Sequence, residues 1–401
     1  MSPAPVERVP LLWRRTCALG VAQIVSWGTL FYTIAVLGQA MRGDTGVSEL
    51  WLYGSYTAGL FASGSVSPWV GREIDAHGGR RVLAGGSLLA AAACVLLALA
   101  QGPLTVLAGW ALAGVAMGAT LYDPAFATLH QIAGASYRRA VTALTLFGGF
   151  ASTVFWPLSL YLLDTYGWRT AYAAYAVLHL AVCLPIHLAS VPAGRHGIAP
   201  AAQASATPAH GGSVFLWLAT ALSLVAFIAS AVTSHLVGLL TATGLSSRDA
   251  VLVGSLIGPM QVAGRIMEFA FARHVRAITV GTFAFTLMAV ALAILSQVHG
   301  IWIVALAFAI TYGWANGVVT IVRGTVPAEL FGHRGYGALL GRLAMPQFVT
   351  KAAAPFAVAL LFIVDPSRAW TPYALLALGL AAVAAYLAAV RHPHRDGGVP
   401  R

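Results

Sequence analysis

Apolar runs of about twenty residues, with few charges among them, follow one another along nearly the whole chain, and they decide what it can fold into. A run of that length spans a bilayer core of roughly 30 Å. Twelve such runs lie near residues 17–40, 50–70, 82–101, 104–128, 140–162, 169–190, 213–238, 249–270, 278–297, 301–322, 337–362 and 371–390. In lipid the backbone must satisfy its own hydrogen bonds, so each run crosses as a helix; the short alternating segments of a barrel are absent. Only 9% of the residues are charged, where a soluble domain carries roughly a quarter. The expected fold is an all-α membrane protein of twelve transmembrane helices. The first run is too long for a signal peptide and no small-residue cleavage site follows it, so it is expected to stay as a span.

A net charge of +11 would suit nucleic acid if the charges were clustered, but they are distributed by membrane side. With the N-terminus inside, sixteen arginines fall in segments on the cytoplasmic side, whereas Arg42, Arg169, Arg248 and Arg368 fall outside. That asymmetry predicts both termini in the cytoplasm, in a bacterial inner (plasma) membrane, and no nucleic-acid partner. Three cations remain. Arg342 is one turn into its run and can snorkel; Arg265 and Lys351, the only lysine in the chain, lie deeper. A charge at mid-membrane costs roughly 2.5–3.5 kcal/mol on insertion scales and normally faces a cavity or a partner.

Nothing in the chain supports enzyme chemistry. Cys17, Cys94 and Cys183 have no metal-binding spacing and are expected to pack as small core residues. His130, His179 and His187 are scattered. There is no phosphate-cradling glycine loop, nucleophile elbow or HExxH, so no metal, cofactor or catalytic residue is expected.

The segment "VPAGRHGIAPAAQASATPAHGG", residues 191–212, reads as a cytoplasmic linker between an N-terminal six-helix bundle, 1–190, and a C-terminal one, 213–401. The halves echo each other at an offset of 198 residues: Thr45–Gly46–Val47–Ser48 against Thr243–Gly244–Leu245–Ser246, and Pro157 against Pro355. A parallel repeat of this kind builds one large class of secondary transporters.

Between the second and third runs stands "GREIDAHGGRRVL", with Gly71, Asp75, Gly79, Arg80 and Arg81 at the spacing of the signature loop of the major facilitator superfamily. The whole chain resembles that family, and "GWRTAYAAYAVL" at the sixth run adds to the likeness. The resemblance implies a twelve-helix fold of two pseudo-symmetric bundles, transport by alternating access, and a conformational latch made by these five residues. Trp110 stands where many drug exporters have an arginine in helix 4, and "GGFASTVFWPLS" lacks the exporters' helix 5 pattern. By contrast "GLSSRDAVLVGSLIGPMQVAGR" is similar to helix 8 of the monocarboxylate transporters and of the oxalate–formate antiporter. In that group a helix 8 arginine, matched by Arg265, binds the substrate carboxylate; a helix 11 lysine of the antiporter is matched by Lys351. The monocarboxylate transporters' acid four residues earlier is Gln261 here.

"GRIMEFAFARH" can also be read as a second copy of the signature loop, which would put Arg265 at the cytoplasmic surface. The offset of 198 instead sets it against Ser67, one turn inside. Asp123, in "TLYDPAF", is the acid expected to share the cavity with the two cations, as substrate-site counter-charge or in a purely structural salt bridge. Tyr32, Tyr56, Tyr122, Gln261 and Asn316 could complete the pocket. The expected function is secondary transport of a small organic anion, a carboxylate by class. Protons or a counter-anion would be the coupled species, the bilayer the surroundings and the monomer the working unit. The alternative is proton-coupled efflux of drugs or cationic metabolites through Asp123. A membrane sensor would need a sizeable soluble domain, whereas the longest interior loop is the linker at residues 191–212.

Overall fold

The computed structural model describes residues 9–133, 136–194, 212–271, 275–331 and 336–391. Every regular element among them is helical. Contacts divide the chain into two compact units, Met1–Gln203 and Ala204–Arg401; residues 195–211 of the expected linker lie outside the described residues.

The first unit contains α1 (Val9–Ser26), a π-helical turn (Trp27–Phe31), α2 (Ile34–Thr45), α3 (Glu49–His77), α4 (Gly79–Ala98), α5 (Pro103–Thr120), α6 (Tyr122–Ala133), α7 (Tyr137–Gly149), α8 (Ala151–Leu178), a second π-helical turn (His179–Cys183) and α9 (Leu184–Ser190). The second contains α10 (Ser213–Ala242), α11 (Ser247–Phe271), α12 (Ala277–Leu295), α13 (Trp302–Phe331), α14 (Tyr336–Val364) and α15 (Trp370–Arg391).

Ten stretches among the described residues are long and apolar enough to cross a bilayer, and they differ from the twelve expected runs in two places. Helix α3 is not among them, because glycine and serine dilute its apolar content and its last turns carry Arg72, Glu73 and Asp75. The fifth and sixth runs merge into one stretch of 52 residues, Arg139–Ser190. That stretch is broken within α8 at Gly167, where φ is 82° and ψ 163°, a conformation open to glycine and strained for other residues.

The 198-residue repeat reappears in the helix boundaries. Glu49 and Gly79 begin helices; Ser247 and Ala277 do the same, each 198 residues further on. The caps repeat as well. Ser48 accepts the N–H of Trp51 at 3.1 Å, and Ser246 accepts the N–H of Asp249 at 3.1 Å, each satisfying a first-turn donor.

Packing follows the same plan. In the first unit α3 lies on α5, α4 on α5, and α1 on α7; in the second α11 lies on α13, α12 on α13, and α10 on α14. The closest crossings depend on small residues, because lipid supplies no hydrophobic drive for helices to associate and close backbone approach takes its place. A methyl group at Gly114 would fall on the carbonyl of Gly59, and one at Gly317 on the carbonyl of Gln261.

Candidate functional site

The first unit gathers aromatic residues around an irregular first span. The π-helical turn at Trp27–Phe31 is a helix defect of the kind often found at functional positions. Next to it Tyr32 is half-buried, its ring edge-on to Trp156 with centroids 6.1 Å apart. Trp156 fixes it further by donating Nε1–H to the Tyr32 carbonyl at 3.1 Å. Tyr122 stacks on Phe126 at 5.2 Å and stands 5.0 Å from Trp27. Its hydroxyl donates to the carbonyl of Thr145 at 3.3 Å. A side chain at Gly148 would collide with that hydroxyl.

The fourth span is broken immediately before the acid. Leu121 adopts ψ −156° between α5 and α6, so carbonyls at the end of α5 lose their helical donors. Gln23 of α1 replaces one, donating Nε2–H to the Thr120 carbonyl at 2.7 Å. Pro124, which has no N–H to offer, fits the first turn of α6. Asp123 lies in that turn, exposed, where a carboxylate is favoured by the helix dipole. Among the described residues of its unit Asp123 forms no ion pair. Tyr56 is placed differently from the other two tyrosines. It is fully buried, donates its hydroxyl to the Phe31 carbonyl at 3.0 Å and sets its ring edge-on to Trp110 at 4.9 Å. In this structure it packs the unit and supports the aromatic group from behind.

In the second unit Arg265, Gln261 and Asn316 are half-buried on α11 and α13. Gln261 is one turn before Arg265, and its backbone lies against Gly317, the neighbour of Asn316. Arg265 is six residues short of Phe271, about 9 Å from the end of α11. Lys351 is deeper: fifteen residues past Tyr336, or about 22 Å along α14. It too is half-buried, between Thr350, whose hydroxyl donates to the Ser223 carbonyl at 3.0 Å, and buried Ala352. Pro346 and Pro355 flank it within the helix. His235 of α10 donates Nε2–H to the Pro355 carbonyl at 2.9 Å, holding this proline-weakened segment against α10.

The signature residues sit where α3 meets α4, with only Gly78 (φ 85°) between the helices. A methyl group at Gly79 would fall on the Thr128 side chain, whereas one at Gly71 would meet nothing within 4 Å. Gln131 ties α6 to this corner by donating Nε2–H to the Ile74 carbonyl at 2.8 Å. Asp75 and Arg81 are exposed and Arg80 is half-buried. The side-chain contact formed here is His77 Nδ1 with Glu73, at 2.9 Å; among the described residues Asp75, Arg80 and Arg81 form no ion pair. Arg80, Arg81 and His77 line a cavity of about 420 Å³ at this end of the unit.

Several contributors to the first unit escape sequence reasoning. His179 and His187 are buried and take hydrogen bonds with Thr29 and Ser87, each at 2.8 Å. The spacing 179, 183, 187 puts both histidines and Cys183 on one helix face, which was the available signal. Cys94 and Cys183 are buried as expected of core residues, but Cys17 is exposed. Among the described residues no group of three or more His, Cys, Asp or Glu side chains could hold a metal ion.

The sequence profile described as Major Facilitator Superfamily matches residues 19–278. No curated protein sequence matches the chain. Solved structures similar to it include a bacterial homolog of the human lysosomal transporter Spinster in an inward-facing and unoccupied conformation. That likeness has a TM-score of 0.73 at 13% identity and covers 98% of this chain and 100% of that one. The nucleoside transporter NupG, in a point-mutant form, gives a TM-score of 0.75 at 14% identity over 94% of this chain and 99% of that one. At such identities the likeness is one of fold.

Proposed function

The chain belongs to the Major Facilitator Superfamily, and we propose that, as a member, it carries a small organic anion of the carboxylate class. Transport across a membrane by alternating access is the activity of this fold; the protein is an integral membrane transporter and not an enzyme. The observation that carries the anion reading is the pair of half-buried cations, Arg265 and Lys351, on the apolar helices of the second unit. An intramembrane cation points to a functional site by default, because a charge there is costly unless it faces a water-filled cavity or a partner.

In this reading the fork of Arg265 binds the carboxylate through two N–H donors, and Lys351 adds a point charge. Gln261 and Asn316 offer neutral amides beside Arg265. Tyr32 and Tyr122 contribute aromatic surface and hydroxyls, with Tyr56 behind them. Asp123 is the counter-charge when substrate is absent and takes a proton when it loses that role. The signature residues Gly71, Asp75, Gly79, Arg80 and Arg81 act as the latch that times the switch between states. We place both termini in the cytoplasm of a bacterial inner membrane, with a monomer as the working unit and protons or a counter-anion as the coupled species.

A second reading, proton-coupled efflux of cationic compounds, draws on the exposed carboxylate of Asp123 within an apolar span. Uptake of labelled mono- and dicarboxylates, against lipophilic cations, into proteoliposomes separates the two. Carboxylate uptake competed by other carboxylates is the expected result; cation transport without it would establish the second reading.

A further inference from the structure

We propose, resting on the carboxylate reading above and narrowing it, that the carried anion is an aryl carboxylate whose ring is held by an aromatic wall in the first unit. Four aromatic side chains, Trp27, Tyr32, Tyr122 and Phe126, are half-buried on the first and fourth spans. They form one continuous group. Trp27 stands 6.3 Å from Tyr32 and 5.0 Å from Tyr122, and Tyr122 stacks on Phe126 at 5.2 Å.

The backbone brings these rings together. In an α-helix residues five apart lie about 140° apart around the axis. The π-helical turn instead joins the Tyr32 N–H to the Trp27 carbonyl at 3.1 Å, which turns both side chains toward one side. Buried rings support them from behind: Phe31 is 5.0 Å from Trp27 and 5.4 Å from Tyr32, and Trp156 stands edge-on to Tyr32. The Tyr122 hydroxyl donates to the Thr145 carbonyl, so that residue offers its ring and not its proton.

Two features set this wall apart from ordinary packing. The positions 198 residues further on are Val225, Ser230, Thr320 and Gly324. The scaffold of the second unit thus forms without a ring at any of the four. Asp123 lies three residues before Phe126, which makes the two neighbours on the surface of α6, and Asp123 is exposed. A charge within an apolar span faces a wet cavity or a partner and not lipid. This face of α6 therefore belongs to a wet path.

Charge then orients the occupant. A carboxylate is repelled by the electron-rich faces of the rings and, as it arrives, by Asp123. The wall takes the uncharged end of the substrate. An aromatic end gains from edge-to-face and offset-stacked contacts beyond what burial alone gives an apolar group of its size.

The test measures dissociation constants on the full chain in detergent for aryl carboxylates and their ring-saturated counterparts, beginning with benzoate and cyclohexanecarboxylate. The saturated acid is the more apolar, so a merely hydrophobic wall would prefer it. Benzoate should instead bind roughly twofold to tenfold more tightly, the worth of an aromatic pair. Trp27→Leu and Phe126→Leu should each bring that ratio toward one while leaving the saturated acid within a few-fold. Tyr122→Phe, which keeps the ring, should keep the ratio. Equal binding of the two series, or preference for the saturated one, overturns the proposal in the unaltered protein and leaves the carboxylate reading standing. Binding of neither series overturns the carboxylate reading itself, and the aryl class with it. A ratio unchanged in both leucine variants, each with a melting temperature near the parent's, removes the wall as its cause.

Discussion

The two units share a scaffold and differ in chemistry. The matched helices α3 and α11, and α4 and α12, begin 198 residues apart, and both units open α3 and α11 with a serine cap. Yet Arg265 and Lys351 of the second unit correspond to Ser67 and Thr153 of the first, and Asp123 of the first corresponds to Ile321 of the second. The fourth span is broken at Leu121, beside the acid, while its counterpart α13 runs from Trp302 to Phe331 as one helix. What repeats is what any such bundle needs for packing. What does not repeat is the intramembrane charge and the backbone irregularity around it, and a transport function draws on those.

The largest expected effect comes from removing the cations that separate the units. Lys351→Ala should abolish anion uptake, and Arg265→Lys should lower affinity roughly tenfold to a hundredfold, the worth of a charge-assisted hydrogen bond. Binding titrations on the purified variants check this; Arg265→Ala with affinity near the parent's removes it from the site. Arginine at Ser67 and lysine at Thr153, introduced into those variants, should not restore uptake, because the matching positions share only the scaffold. Stability measured for Lys351→Ala, Asp123→Asn and the double change tests coupling across the units. Strict additivity means the two charges do not sense each other.

Next in size are the crossings that the units have in common. Gly114→Ala pushes a methyl group onto the Gly59 carbonyl and Gly317→Ala pushes one onto the Gln261 carbonyl. Backbone cannot move aside as a side chain can, so each should cost about 1–3 kcal/mol, read as a lower melting temperature. Similar losses in both units support a shared scaffold; a loss confined to one would break the comparison.

The signature corner should affect rate and not stability. Gly71→Ala meets nothing within 4 Å, so the fold should tolerate it, and slower uptake would report on movement alone. Asp75→Asn should likewise slow turnover while leaving equilibrium binding within a few-fold. If affinity collapses with turnover intact, the corner is no latch.

These contrasts also mark what the sequence makes legible. Span length, apolar composition and arginine placement are summed over many residues, so the all-helical membrane fold and its family were readable directly. The repeat was faint as sequence, resting on Thr45–Gly46–Val47–Ser48 and Pro157, because most lipid-facing positions accept any apolar residue. It becomes plain in helix starts, such as those of α3 and α11 behind Ser48 and Ser246. The break at Leu121 was hidden because its cause is tertiary: Gln23, 97 positions away from Thr120, supplies the missing donor. Pro124 hinted at a helix start without saying that the preceding residue leaves the helix. Tyr56 stands with Tyr32 and Tyr122 among the residues expected to complete the pocket, and sequence alone could not show its hydroxyl bound to Phe31 and its ring against Trp110.

The finest contrast lies where the units solve one turn in two ways. Gly167 and Asp365 are 198 residues apart, at the break in α8 and just after α14. The first unit turns through a glycine at φ 82°. The second uses side-chain hydrogen bonds: Asp365 accepts the N–H of Trp370 at 2.7 Å and the hydroxyl of Ser367, while Arg368 takes φ 62° over the Phe362 ring. Gly167→Ala meets no atom within 4 Å, so its cost is conformational alone, about 1–3 kcal/mol, and it should not vary with pH. Asp365→Asn should cost less and should vary. The Ser367 hydroxyl and the Trp370 N–H hold the Asp365 carboxyl below its ordinary range. A depressed folded value means the stabilisation is present above the unfolded carboxylate pKa, about 3.9. It is lost as pH falls through the lower folded value. Melting temperatures at pH 7 and pH 3 should therefore show the gap between Asp365→Asn and the parent closing in acid. The gap for Gly167→Ala should stay constant. An Asp365→Asn gap of equal size at both pH values would mean that the turn depends on the shape of that side chain and not on its charge.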